Sequence, residues 1–101
     1  MTANINIPEH IFNSIREIGK TNNISQIILF GSRARGTNSQ RSDIDLAFSA
    51  ASTAQYFAVA DALESIDTLL HFDLVDLNSI SLSPDLRDEI KKDGIIIYEK
   101  I

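Results

Sequence analysis

Apolar residues first recur at helical spacing. Ile11, Phe12, Ile15 and Ile18 share one stripe behind Pro8, whose missing N–H is harmless in a first helical turn. A helix is predicted from about Pro8 to Lys20, ended by Thr21-Asn22-Asn23. Ile24 to Phe30 reads as a strand, and its unbroken apolar core, Ile27 to Phe30, is expected of a central strand covered on both faces. Only a short helix can follow Gly31-Ser32, because Gly36-Thr37-Asn38-Ser39-Gln40 reads as a loop. A second strand is expected over Asp43 to Ser49. Ser52 and Gln55 then form a capping box, and Tyr56, Val59, Leu63, Ile66 and Leu70 trace one face of a long helix that should pack on the sheet. Phe72 to Leu77 is a third strand. Ser83 caps a helix with Pro84 at its first position, Leu86 and Ile90 on its buried side, Lys91 and Lys92 in its last turn and Gly94 as its stop. Ile95 to Tyr98 closes the chain as a strand. The order predicts an α/β (α+β) fold.

Composition narrows this reading. The chain has 101 residues, which suits one small domain spanning 1–101 with a single core. Apolar residues make up 44% and charged residues 23%, which argues against disorder. No apolar run reaches the roughly 20 residues needed to span a bilayer, and the polar N-terminus lacks a signal-peptide pattern. A cytoplasmic protein is expected. The absence of cysteine excludes disulfides and thiolate metal sites and fits a reducing compartment. A net charge of -5 lacks the basic footprint of a general nucleic-acid binder. Arg33, Arg35 and Arg41 are the one local basic cluster, better suited to a small anionic ligand than to a duplex.

The chemistry concentrates between Gln26 and Leu46. Strand side chains alternate, so Asp43 and Asp45 should share one face while Ile44 points the other way. Two carboxylates on one face can hold Mg²⁺, which fills the rest of its shell with waters and substrate phosphates. Gly31 permits close backbone approach, the Ser32 hydroxyl can donate to a phosphate, and N–H groups opening a helix attract anions. Ser32 is equally suited to cap that helix, and the two roles use the same donors. Arginine forks suit phosphate oxygens. Arg33 and Arg35, two apart on a short helix, cannot face the same way, so one should meet the nucleotide or acceptor while the other packs or pairs with an acid.

Gly31-Ser32, ten residues, then Asp43-Ile44-Asp45 resembles the nucleotidyltransferase superfamily of DNA polymerase β and the aminoglycoside nucleotidyltransferases. The form Phe30-Gly31-Ser32-Arg33-Ala34-Arg35-Gly36 followed by Ser42-Asp43-Ile44-Asp45-Leu46 is most similar to the minimal nucleotidyltransferases, or MNT proteins. The resemblance extends through Phe72-Asp73-Leu74-Val75-Asp76-Leu77 to the closing helix and strand. It implies the nucleotidyltransferase fold, a small mixed β-sheet flanked by helices. It also implies Mg²⁺ or Mn²⁺ on Asp43 and Asp45, ATP as substrate, and nucleotide contacts from Gly31, Ser32, Arg33 and Arg35. A third carboxylate is implied on the strand beside the Asp-x-Asp strand. Asp73 and Asp76 are the candidates, three apart and so on opposite faces. Asp73, preceding Leu74-Val75, is favoured, either as proton acceptor or as a further metal ligand.

Stand-alone MNT proteins form the antitoxin half of pairs with HEPN-domain ribonucleases and can adenylylate the toxin. The resemblance therefore implies a protein adenylyltransferase with a HEPN toxin as partner. The longer antibiotic-modifying relatives carry a helical acceptor-binding domain, so here the acceptor surface is expected to come from elsewhere. The rival class is an MNT-fold protein that neutralises its partner by contact alone, and a small-molecule nucleotidyltransferase is a third reading. Clustered carboxylates, which repel without a cation, argue for the enzyme. His10 and His71 have no partner at metal-ligand spacing and read as surface or boundary residues. Tyr56, Tyr98 and Phe30 are expected to pack.

Overall fold

The computed structural model describes residues 6–101, so the polar N-terminal stretch, and the signal-peptide reading made from it, lies largely outside the described residues. The elements follow the expected order: α1 (Glu9–Thr21), β1 (Gln26–Phe30), α2 (Ser32–Arg35), β2 (Ile44–Phe48), α3 (Thr53–Glu64), β3 (Phe72–Asp76), α4 (Pro84–Asp93) and β4 (Ile95–Glu99). The strands form one sheet in the order β3-β2-β1-β4. β1 runs antiparallel to both β2 and β4, while β2 and β3 are parallel, so the sheet is mixed as expected.

Strand alternation divides the sheet into two unlike faces. Ile27 and Leu29 of β1 and Ile44, Leu46 and Phe48 of β2, all fully buried, pack with Ile11 and Ile15 of α1 and Val59 and Leu63 of α3. The opposite face carries a smaller cluster of Phe30, Ala47 and Ile90, covered by α4 alone. Ile96 of β4 remains half exposed.

Two boundaries differ from the sequence pattern by more than one residue. β1 begins at Gln26 rather than Ile24, because residues 22–24 close α1 in a Schellman motif. Asn23 takes a left-handed conformation (φ 58°), its N–H bonds to the Lys20 carbonyl, and the Ile24 N–H reaches the Gly19 carbonyl at 3.0 Å. Ile24 is buried as the apolar anchor of that cap. α3 stops at Glu64, one and a half turns short of the periodic stripe. There the Ser65 hydroxyl donates to the Asp61 carbonyl, the Ile66 N–H bonds to Leu63 only three residues back, and Ser65-Ile66-Asp67-Thr68 offers weak helix formers. Ile66 and Leu70 still pack on the core, from a loop.

Candidate active site

The polar end of the α4-covered face gathers the chemistry. Register sets it: Asp45 stands opposite Phe30 on one side and Asp73 on the other, so two carboxylates on parallel neighbours share one face at one level. Asp43 lies just before β2, beside the start of β3, where the Ile44 N–H bonds to the His71 carbonyl at 2.8 Å. Gly31 adopts φ +73°, a conformation side chains rarely take, and a Cβ there would run into the Asp45 carboxylate. A glycine is required for the Asp45 carboxylate to lie against the turn.

These residues line an open cleft of about 500 Å³ with Ser32, Arg35, Arg41 and Glu89. Asp45 sits deepest, and its carboxyl is pushed up from 3.8 to about 6, by burial first, then by the charge and hydrogen bond of Asp73, then by Asp43 and Glu89. Acceptor oxygens crowded until one resists ionising form a donor set suited to a divalent cation. One ligand atom each from Asp43, His71 and Asp73 lies within 4.8 Å of the others.

The two motif arginines separate. Arg35 is at the cleft, its guanidinium 3.6 Å from Glu89 and 3.5 Å from Asp93. Arg33 departs from the expected nucleotide contact: it is only 4% exposed and its guanidinium points into the protein. It donates to the carbonyls of Asn6, Ser42 (3.0 and 2.9 Å), Gln40 (3.1 Å) and, weakly, Ser39. Arg33 therefore braces the loop that delivers Asp43, a use of the planar fork that turns it away from the cleft. Asp76 lies on the other face, as the spacing of three requires. Its carboxylate caps the turn after β3 by accepting the Asn78 N–H at 2.9 Å and lines a separate groove of about 420 Å³.

Two residues at the site carry no local sequence signal: His71, beside Asp43 and Asp73, and Glu89, which lines the cleft. His71 is expected at the surface or a boundary because no metal spacing along the chain includes it, and it is exposed, yet it lies two residues before Asp73, and alternation puts both on one face. Its Nε2 is 3.3 Å from an Asp73 carboxylate oxygen. Glu89 reaches the cleft from α4, and no local pattern marks such a long-range approach.

The family model described as Polymerase beta, Nucleotidyltransferase matches residues 13–101. The chain belongs to this family. Among solved structures, it is similar to a chain of a toxin-antitoxin complex with AMP-PNP, at 30% identity and a TM-score of 0.68, covering 88% of this chain and 73% of that one. It is also similar, at 26% identity and a TM-score of 0.63, to a chain of the tri-AMPylated Shewanella oneidensis HEPN toxin in complex with its MNT antitoxin, covering 91% and 72%. A putative nucleotidyltransferase from Sulfolobus solfataricus, 20% identical with a TM-score of 0.53 over 89% and 81%, shares the fold. No curated protein matches the chain closely. Within the nucleotidyltransferase family this is an MNT-type domain. Among the described residues no helix is long and apolar enough to cross a membrane.

Proposed function

We propose that this nucleotidyltransferase transfers AMP from ATP to a hydroxyl of a HEPN-type toxin and so acts as its antitoxin. The observation that carries the reading is the convergence of Asp43, Asp45 and Asp73 on one sheet face against the Gly31 turn. Asp43, Asp45 and Asp73 would hold Mg²⁺ or Mn²⁺. Bound there, the cation supplies charge neutralisation to the triphosphate and lowers the cost of the leaving pyrophosphate.

The chain's own groups divide the remaining work. Gly31 and Ser32 seat the phosphates at the turn, and Arg35, with Arg41 on the facing loop, supplies positive charge at the cleft mouth. The acceptor hydroxyl oxygen attacks the α-phosphorus, the bond to the β-phosphate's bridging oxygen breaks, and pyrophosphate departs with that electron pair. Asp73, at the exposed side of the cluster, takes the hydroxyl proton. An open cleft on an acidic chain suits a large acceptor with a complementary basic surface, as an RNA-cleaving protein would offer. The AMPylated HEPN toxin of the Shewanella complex supports the same acceptor class here.

Co-expression with the HEPN-type partner followed by intact-mass measurement tests this. The partner should gain mass in AMP steps, and Asp43→Asn should abolish the gain. An unmodified partner that the Asp43→Asn variant neutralises equally well would replace the enzyme with a contact-only antitoxin.

A further inference from the structure

We propose that His71 is a metal ligand, making with Asp43 and Asp73 a mixed nitrogen-oxygen site that takes a divalent first-row transition ion in preference to Mg²⁺. The proposal rests on the nucleotidyltransferase reading for its need of a cation, and goes beyond it in naming an imidazole where three carboxylates would suffice.

Placement is the first support. The pairing of Ile44 with Phe72 puts His71 beside Asp43 one residue earlier, and the bond from the Ile44 N–H to the His71 carbonyl fixes the backbone that carries the ring. Alternation then sends the His71 and Asp73 side chains to the same face as Asp43 and Asp45.

Spacing is the second. The His71 Nε2 stands 3.3 Å from Asp73 Oδ1, and ligand atoms of all three residues lie within 4.8 Å of one another. Adjacent ligands of a six-coordinate ion with bonds of about 2.1 Å are roughly 3 Å apart, and opposite ones roughly 4.2 Å. The three side chains thus fit one coordination shell with little rearrangement. An ion pair between exposed His71 and Asp73 would explain only one of these contacts, and such surface pairs contribute little.

Donor chemistry is the third. Mg²⁺ favours oxygen ligands and keeps its waters, whereas imidazole nitrogen suits transition ions, so replacing one oxygen position by His71 tilts selection toward the latter. Asp45, deeper and beside the carboxylates of Asp73, Asp43 and Glu89, keeps an oxygen-rich environment.

Mn²⁺ bound to the full-length protein provides the test, because electron spin-echo spectroscopy detects a directly coordinated nitrogen. The expected result is a nitrogen modulation on bound Mn²⁺ that disappears in His71→Gln. In calorimetric titration that variant should lose Mn²⁺ affinity by about tenfold or more, while Mg²⁺ affinity stays within about threefold. His71 is 63% exposed in its side chain, so the glutamine variant keeps its core, which circular dichroism verifies. Mn²⁺ bound without nitrogen modulation, or equal losses for both ions, overturns the His71 assignment and leaves the nucleotidyltransferase intact. No Mn²⁺ binding by the wild type, even with a non-hydrolysable ATP analogue, overturns both.

Discussion

The two faces of the sheet are built on opposite terms. Under α1 and α3, Ile27, Leu29, Ile44, Leu46 and Phe48 are sealed from solvent within one large apolar cluster. Under α4, three buried residues hold the face together, and beyond them it opens into Asp43, Asp45, Asp73 and Glu89, with His71 beside Asp43 and Asp73. β2 serves both at once, alternating Ile44, Leu46 and Phe48 with Asp45 and Ala47. One face stabilises the domain, and the stability it supplies permits the other to hold carboxylates that repel one another.

The strongest break in that division is a cut on the apolar side. Phe48, fully buried and stacked on Tyr56 with ring centroids 5.4 Å apart, fills the middle of the helix-covered face. Phe48→Ala should destabilise by about 3–5 kcal/mol, measured by urea unfolding. Metal affinity, assayed at low temperature where the variant remains folded, should change little. A loss of metal affinity without unfolding would show that the two faces are coupled.

Arg33 marks where the division blurs, since a charged residue in the motif performs structural work. Arg33→Ala removes the donors for the carbonyls of Asn6, Gln40 and Ser42 and should cost about 2–4 kcal/mol. Arg33→Lys should recover only part, because one ammonium cannot replace a fork that reaches several carbonyls. Arg35→Ala removes only exposed pairs and should lower melting temperature by a degree or so at most, while weakening nucleotide affinity. Similar melting losses for both variants would contradict the separation of the two arginines.

Most of the elements were legible because they obey simple local rules: the stripe of Ile11 and Ile15, the capping box at Ser52, where the Gln55 N–H bonds to the Ser52 hydroxyl at 3.1 Å, and Ser83-Pro84 ahead of α4. The polymerase β family and its mixed sheet followed from Gly31-Ser32 joined to Asp43-Ile44-Asp45. Legibility failed where the outcome depends on partners far along the chain. α3 ended early through serine bonds at Ser65, although Ile66 and Leu70 remained in phase. Arg33 and Arg35 could be told apart only once the 39–42 loop had folded back over one of them. The approach of Glu89 is set by how α4 lies on the sheet.

Asp73 and Asp76 sharpen the comparison within one strand. Asp73 faces the carboxylate cluster, while Asp76 caps a turn above the separate groove. Asp73→Asn should lower kcat for AMP transfer by about a hundredfold or more, roughly 2.7 kcal/mol of barrier, with nucleotide binding largely kept. Asp76→Asn should leave kcat within about threefold. Single-turnover transfer with labelled ATP distinguishes them, and the reverse pattern would move the chemistry to the other groove.

The smallest expected effect concerns the cost of the polar face itself. Raised from 3.8 to about 6, Asp45 holds its proton in the folded protein over a pH range where the unfolded chain has released it. Protons bound in excess by the folded state make stability fall as pH rises from about 4 to about 6, after which the full penalty persists. For a fully buried group that shift would correspond to about 3 kcal/mol. Solvent in the open cleft screens it, leaving about 1 kcal/mol. Asp45→Asn should therefore be more stable than the wild type by about that amount at pH 7.5 in chelator, and nearly equal to it at pH 4. Saturating divalent cation should reverse the order at pH 7.5, because Asp45→Asn removes one ligand and the ion stabilises more the protein that binds it more tightly. Urea titrations of both proteins at the two pH values, with and without cation, measure all of this. A stability difference indifferent to both pH and cation would mean that burial of the carboxyl group, rather than its charge, sets the cost of this face.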